Sequence, residues 1–146
     1  MTFANITHRR PADILLATEA FFLLALFRIA LAIFSVRRIL HAITHSQTTE
    51  PLPEATPDEP TLNAALRVRW AVEAVTRNSA ARFVCFPQTL AGYTMLRLRG
   101  VPSTMVYGVA RSPEGDLIAH TWLSVGDRIV LGGEGSGAFT PIDHWT

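Results

Sequence analysis

From Ala12 to Ile43 the chain is strongly apolar, with Arg9 and Arg10 ahead of the run, Glu19 and Arg28 inside it, and Arg37 and Arg38 near its end. Pro11-Ala-Asp13 has the signature of a helix start, because proline is tolerated in the first turn and an acid suits the positive end of the helix dipole. The pattern predicts one helix to about His41. A membrane span needs about 20 apolar residues. Glu19 and Arg28 leave only Ala20–Phe27 and Ile29–Phe34 uninterrupted, and each central charge costs roughly 2.5–3.5 kcal/mol on insertion scales. A signal peptide would have a shorter apolar core followed by a cleavage site. The expected element is a helix packed on the domain or on a partner. Membrane association through residues 12–43 stays open, because a helix that is apolar nearly all round must be covered by something.

The pattern then changes character. Thr44 to Pro60 carries Pro51, Pro53, Pro57 and Pro60, which predicts an exposed linker without regular structure. Thr61 reads as the cap of a second helix, with Leu62, Leu66 and Trp70 at helical spacing and an end near Asn78-Ser79. A third helix covers Cys85 to Gly100, with Pro87 in its first turn and Gly100 as the left-handed residue that closes it. Strand formers fill Ser103–Ala110, and Ser112-Pro-Glu-Gly115 is a turn. Leu117–Val125 and Arg128–Leu131 are two further strands about the hairpin turn Gly126-Asp127. The tail from Gly132 to Thr146 is glycine-rich, then aromatic. Helices followed by an antiparallel sheet make an α+β domain. The expected division is 1–43 (N-terminal hydrophobic helix), 44–60 (linker) and 61–146 (core).

Composition narrows the function classes. The chain has 146 residues, 49% of them apolar, which excludes general disorder. Thirteen basic against twelve acidic side chains leave no basic footprint for nucleic acid. One cysteine forms no internal disulfide and no cysteine-rich zinc site, so neither metal nor cofactor is expected. Gly132-Gly-Glu-Gly-Ser-Gly137 lacks the lysine and helix start of a phosphate loop.

That cysteine is the candidate nucleophile. At a first helical turn, backbone N–H groups point outward and the dipole favours an anion, which suits both a thiolate and an oxyanion. Of the five histidines, only His120 lies within a strand pattern, with Trp122 two residues on and facing the same way. An imidazole beside the thiol takes its proton and later protonates the leaving amine. A third group should orient the ring. With Val125 opposite Arg128, the hairpin register puts His120 opposite Gly133 and leaves Asp127 roughly 20 Å away, at about 3.3 Å per residue. Glu134 is the nearest acid by register, if a bulge at Gly132-Gly133 aims it. Asp143, a backbone carbonyl or a water are the alternatives. Gln88, one turn past the thiol, and Trp122 are candidate substrate or oxyanion contacts.

Taken together, Cys85-Phe-Pro-Gln-Thr-Leu-Ala91, Leu-Arg-Leu-Arg-Gly-Val-Pro102, Val106-Tyr-Gly-Val109 and Ala119-His-Thr-Trp122 resemble the transglutaminase-like leader peptidases of lasso-peptide biosynthesis. The resemblance extends to the helices before Cys85. It implies a papain-like or transglutaminase-like fold and a Cys-His-Asp triad, with Cys85 and His120 at the matching positions. The aspartate is expected about a dozen residues after the histidine, where this chain has Gly132. It further implies cleavage of a ribosomally made precursor peptide between leader and core, with a separate leader-recognition protein and an amide-forming macrocyclase as partners. The setting would be the cytoplasm, or the inner face of the membrane. Two other functions stay open: another Cys/His acyl transfer such as transamidation, and a non-catalytic partner that holds a peptide or docks to a membrane.

Overall fold

Pro11 sets the backbone for the first turn of α1 (Pro11–Ile33), and Asp13 lies near its positive end. The structure, a computed structural model, describes residues 10–44, 47–48, 55–79 and 84–146. The predicted single N-terminal helix is two. The chain is extended at Phe34 and Ser35, and α2 (Val36–Ile43) starts anew. Serine favours caps over helix interiors, and the break allows Ile39 and Leu40 to be buried.

Gln47–Thr48 form a two-residue strand, β1, that pairs with His144 and Trp145. The linker is therefore not free of regular structure. Its far end is also held, because the carbonyl of Ala55 accepts from the Asp127 N–H at 3.2 Å and the Thr56 hydroxyl donates to Asp127 at 3.0 Å. Helix α3 (Glu59–Asn78) starts earlier than Thr61. Asp58 is the cap, accepting from the Thr61 N–H at 3.1 Å, and Pro60 occupies the first turn.

Helix α4 (Cys85–Leu98) is the hub, packed against α1, α3 and the sheet. Leu90, Ala91, Met95 and Leu96 are buried within it. It ends as expected: Gly100 has φ +68°, its N–H bonds to the Arg97 carbonyl, and the Val101 N–H reaches back to Leu96. This pair of bonds is the Schellman closure. Arg99 then ties the helix end to α1 through two bonds to Glu19, of 2.9 and 2.6 Å. These bonds hold the Arg99 guanidinium above its usual range.

The sheet has strand order β1-β5-β2-β3-β4, all antiparallel, with β2 Thr104–Arg111, β3 Leu117–Val125, β4 Arg128–Leu131 and β5 Thr140–Trp145. Strand β5 is the element the tail concealed. Its Pro141 sits where the β2–β5 register shifts, between Tyr107 and Gly108, one of the few places a sheet accepts proline. In the β3–β4 hairpin Val125 does pair with Arg128, but Leu123 pairs with Leu131, one residue out of step. The slip lies at Val130 rather than Gly132-Gly133. Side chains alternate along β3. Leu123 faces α4, where it packs with Leu131 against Gly92; Thr121 and Val125 share that face. His120 and Trp122 occupy the other one.

Candidate active site

Cys85 is the first residue of α4, after an extended Val84, and is half-buried. The thiol therefore stands at a helix start where the first N–H groups lack intrahelical acceptors. One turn on, Thr89 is buried and its hydroxyl lies 2.9 Å from the Cys85 carbonyl, 3.0 Å from the Thr121 hydroxyl and 3.4 Å from the Thr121 carbonyl. Thr89 and Thr121 are each 1% exposed. A buried hydroxyl left without a partner costs about 1–3 kcal/mol, so this pair fixes the first turns of α4 against β3 at the residue next to His120.

His120 is half-buried, and its Nε2 lies 2.7 Å from the Gly132 carbonyl oxygen. A carbonyl only accepts, so Nε2 is the donor, and in the neutral ring Nδ1 presents the lone pair. The ring is held from two sides, by Trp122 at 6.0 Å and by Phe139 at 5.2 Å between centroids. Trp122 is itself almost fully buried, and its ring lies over Gly108, the β2 partner of His120.

The backbone explains why a carbonyl rather than a side chain stands at residue 132. Gly132 has φ +72°, and a Cβ there would come within 2.7 Å of the Thr121 carbonyl oxygen and 3.2 Å of the Trp122 Cα. An aspartate fits neither the left-handed conformation without strain nor the space. The chain instead aims its main-chain oxygen at the imidazole.

Glu134 is exposed, in the turn ahead of Ser136–Ala138, and makes no hydrogen bond to His120. The ladder ends at Leu131, and the left-handed turn at Gly132 then takes the backbone of Glu134 away from β3. Asp143 is on β5, paired with Tyr107 and so two strands from β3. Gln88 is half-buried within the first turns of α4. Sequence reasoning missed Thr89, Thr121 and Phe139. The first two read there as ordinary helix and strand residues, and only the packing of α4 on β3 reveals them.

The thiol and the imidazole are brought onto neighbouring elements, but no hydrogen bond joins them. Thr121 faces α4 and His120 faces the opposite way. On the β4 side, the edge of β3 is unpaired from Trp122 back to His120. Catalytic hydrogen bonds are commonly long without substrate and tighten when it binds. Among the described residues, no group of three or more His, Cys, Asp and Glu side chains is placed to hold a metal ion.

The family model for the transglutaminase-like superfamily matches residues 23–144. The chain belongs to the transglutaminase-like superfamily. The match begins inside α1 and ends within β5, so it takes in the thiol-bearing helix and the whole hairpin that carries His120. The superfamily includes cysteine peptidases and acyltransferases, typically cysteine-based enzymes. No curated protein and no solved structure shows a significant match to the chain.

Proposed function

We propose that the protein is a cysteine peptidase that removes the leader from a ribosomally made precursor peptide of the lasso type, before a partner closes the macrolactam. The observation that carries the reading is the 2.7 Å contact of His120 Nε2 with the Gly132 carbonyl, which makes Nε2 the donor and Nδ1 of the neutral ring the base, in a domain whose one thiol opens a helix packed on the same strand.

In this mechanism His120 Nδ1 takes the thiol proton and Cys85 Sγ attacks the scissile carbonyl. The tetrahedral oxyanion is met by the backbone N–H groups of Cys85 and Phe86 at the start of α4, Pro87 having none to give. Collapse breaks the C–N bond, His120 gives its proton to the departing amine of the core peptide, and the leader remains as a thioester on Cys85. Water, deprotonated by His120, then releases the leader acid and the free thiol. A carbonyl dipole stabilises the transient imidazolium less than a carboxylate would, which makes this a slower catalyst than one with a full triad. The leader would be presented by a separate recognition protein.

One observation favours a second reading. The thiol and imidazole are not hydrogen-bonded, and the hydrogen bond described for the ring goes to a main-chain carbonyl, as suits a non-catalytic partner that holds the peptide. A cleavage assay separates the two. With a leader-bearing precursor and its recognition protein, the wild-type chain should release the core peptide and Cys85→Ala should not. Equal cleavage by Cys85→Ala would end the peptidase reading; no cleavage by either, with the precursor still bound, would support the holding role.

A further inference from the structure

Helix α1 has two apolar faces, and the core covers one. Leu16, Ala20, Leu24 and Phe27 are buried against the rest of the domain. On the opposite side Leu15 is 70% exposed, Phe22 66%, Leu26 57%, Ile29 59% and Ile33 69%. Their spacing puts them in one stripe along a helix about 35 Å long, at 1.5 Å per residue, with Ile14 and Phe21, also exposed, beside it.

The charges on this segment are sorted. Between residues 10 and 43 the acids are Asp13 and Glu19, and both are held by cations of the core: Asp13 by Arg67 at 3.1 Å, Glu19 by Arg99 at 2.6 Å. Arg10, Arg28, Arg37 and Arg38 are exposed. The outward surface therefore combines a long apolar stripe with basic side chains at both ends.

We propose that α1 and α2 form an in-plane anchor that lies on an anionic phospholipid surface, with the stripe in the acyl boundary and the arginines among the headgroups. The inference does not depend on the peptidase reading. By length and composition α1 would also cross a membrane, but crossing would strip Leu16, Ala20, Leu24 and Phe27 from the core they fill. A second copy is a poor occupant. An isologous pairing of this face brings arginines against arginines, and both acids of the segment are already bound inward. A lipid surface supplies negative charge opposite Arg10 at one end of the stripe and Arg37 and Arg38 at the other.

The test is vesicle flotation of the full chain, with phosphatidylcholine vesicles that contain or lack phosphatidylglycerol, at low and high salt. The wild type should float with the anionic vesicles at least about tenfold better than with the neutral ones, because each arginine held near an anionic surface adds to binding, and high salt should erode the preference. Leu15→Ser/Phe22→Ser/Ile33→Ser changes only exposed positions and should keep the wild-type melting curve while losing flotation. Arg37→Gln/Arg38→Gln should float less on anionic vesicles with no change on neutral ones. A wild type that stays unbound with both vesicles, a serine variant that floats like wild type, or a wild-type dimer that the serine variant dissociates would each overturn the proposal.

Discussion

Cys85 stands on a regular element locked along its whole length, whereas the acceptor for His120 comes from a stretch where the regular structure has just ended. Helix α4 is buried on most sides, closed by a Schellman turn and pinned to β3 by a buried pair of threonines. Gly132 follows the last residue of a four-residue strand whose register has already slipped at Val130, and it turns through a left-handed conformation. In the proposed mechanism the site is divided accordingly: side chains on rigid elements carry the chemistry, and a main-chain oxygen in an irregular turn orients the imidazole. Rigid elements tolerate little change in packing. The turn tolerates no side chain at all.

Removing the base should have the largest effect. His120→Ala is expected to lower kcat by about 10³-fold, within the range for general acid–base groups, with the melting temperature little changed, as measured by precursor cleavage alongside thermal unfolding. The turn gives the next test. Gly132→Asp restores the acid that family resemblance leads one to expect, yet it should destabilise the domain by about 1–3 kcal/mol and reduce cleavage, since the new Cβ collides with the Thr121 carbonyl and moves the oxygen off His120. An increase in activity would show that the turn can host a carboxylate and that the backbone acceptor is dispensable. On the rigid side, Thr89→Val leaves the Thr121 hydroxyl buried without that partner and should cost about 1–3 kcal/mol in denaturant unfolding. Thr89→Val/Thr121→Val should recover most of the loss. Equal losses in the single and double variants would mean the pair is not the lock it is described as.

The smallest effect lies farthest from the site. Hydrogen bonds from Thr61 hold the Asp58 carboxyl below its ordinary value of 3.8. The contribution of this ionised cap is fully present above that value and is lost as pH falls through the lower folded one. The stability difference between wild type and Asp58→Asn should therefore shrink on acidification below about pH 4, when melting curves are compared across that range.

Much of this architecture was legible in the chain. Apolar spacing, prolines and turn residues reveal α3, α4 and the three strands β2, β3 and β4, and they place Cys85 at a helix start with His120 inside a strand. Other features had no letter to read. The break at Phe34-Ser35 lies within a run whose hydrophobicity continues on both sides. Strand β5 contains a proline and an aspartate, and its Pro141 is accommodated at a register shift that the letters do not announce. The slip at Val130 puts Leu131 rather than Val130 opposite Leu123, and the ladder ends there, so counting on from the turn to His120 names a partner that the sheet does not contain. The acceptor itself is a backbone carbonyl, a group every residue carries, so only the path of the chain shows that Gly132 supplies it.

The account is tested most directly by stopping the reaction with acid during the first turnover and weighing the protein. Wild-type chain mixed with the leader-bearing precursor and its recognition protein should gain the mass of the leader acyl group, and peptide mapping should locate a thioester on Cys85. An adduct on another residue, or core peptide released at the wild-type rate by Cys85→Ala, would contradict the account.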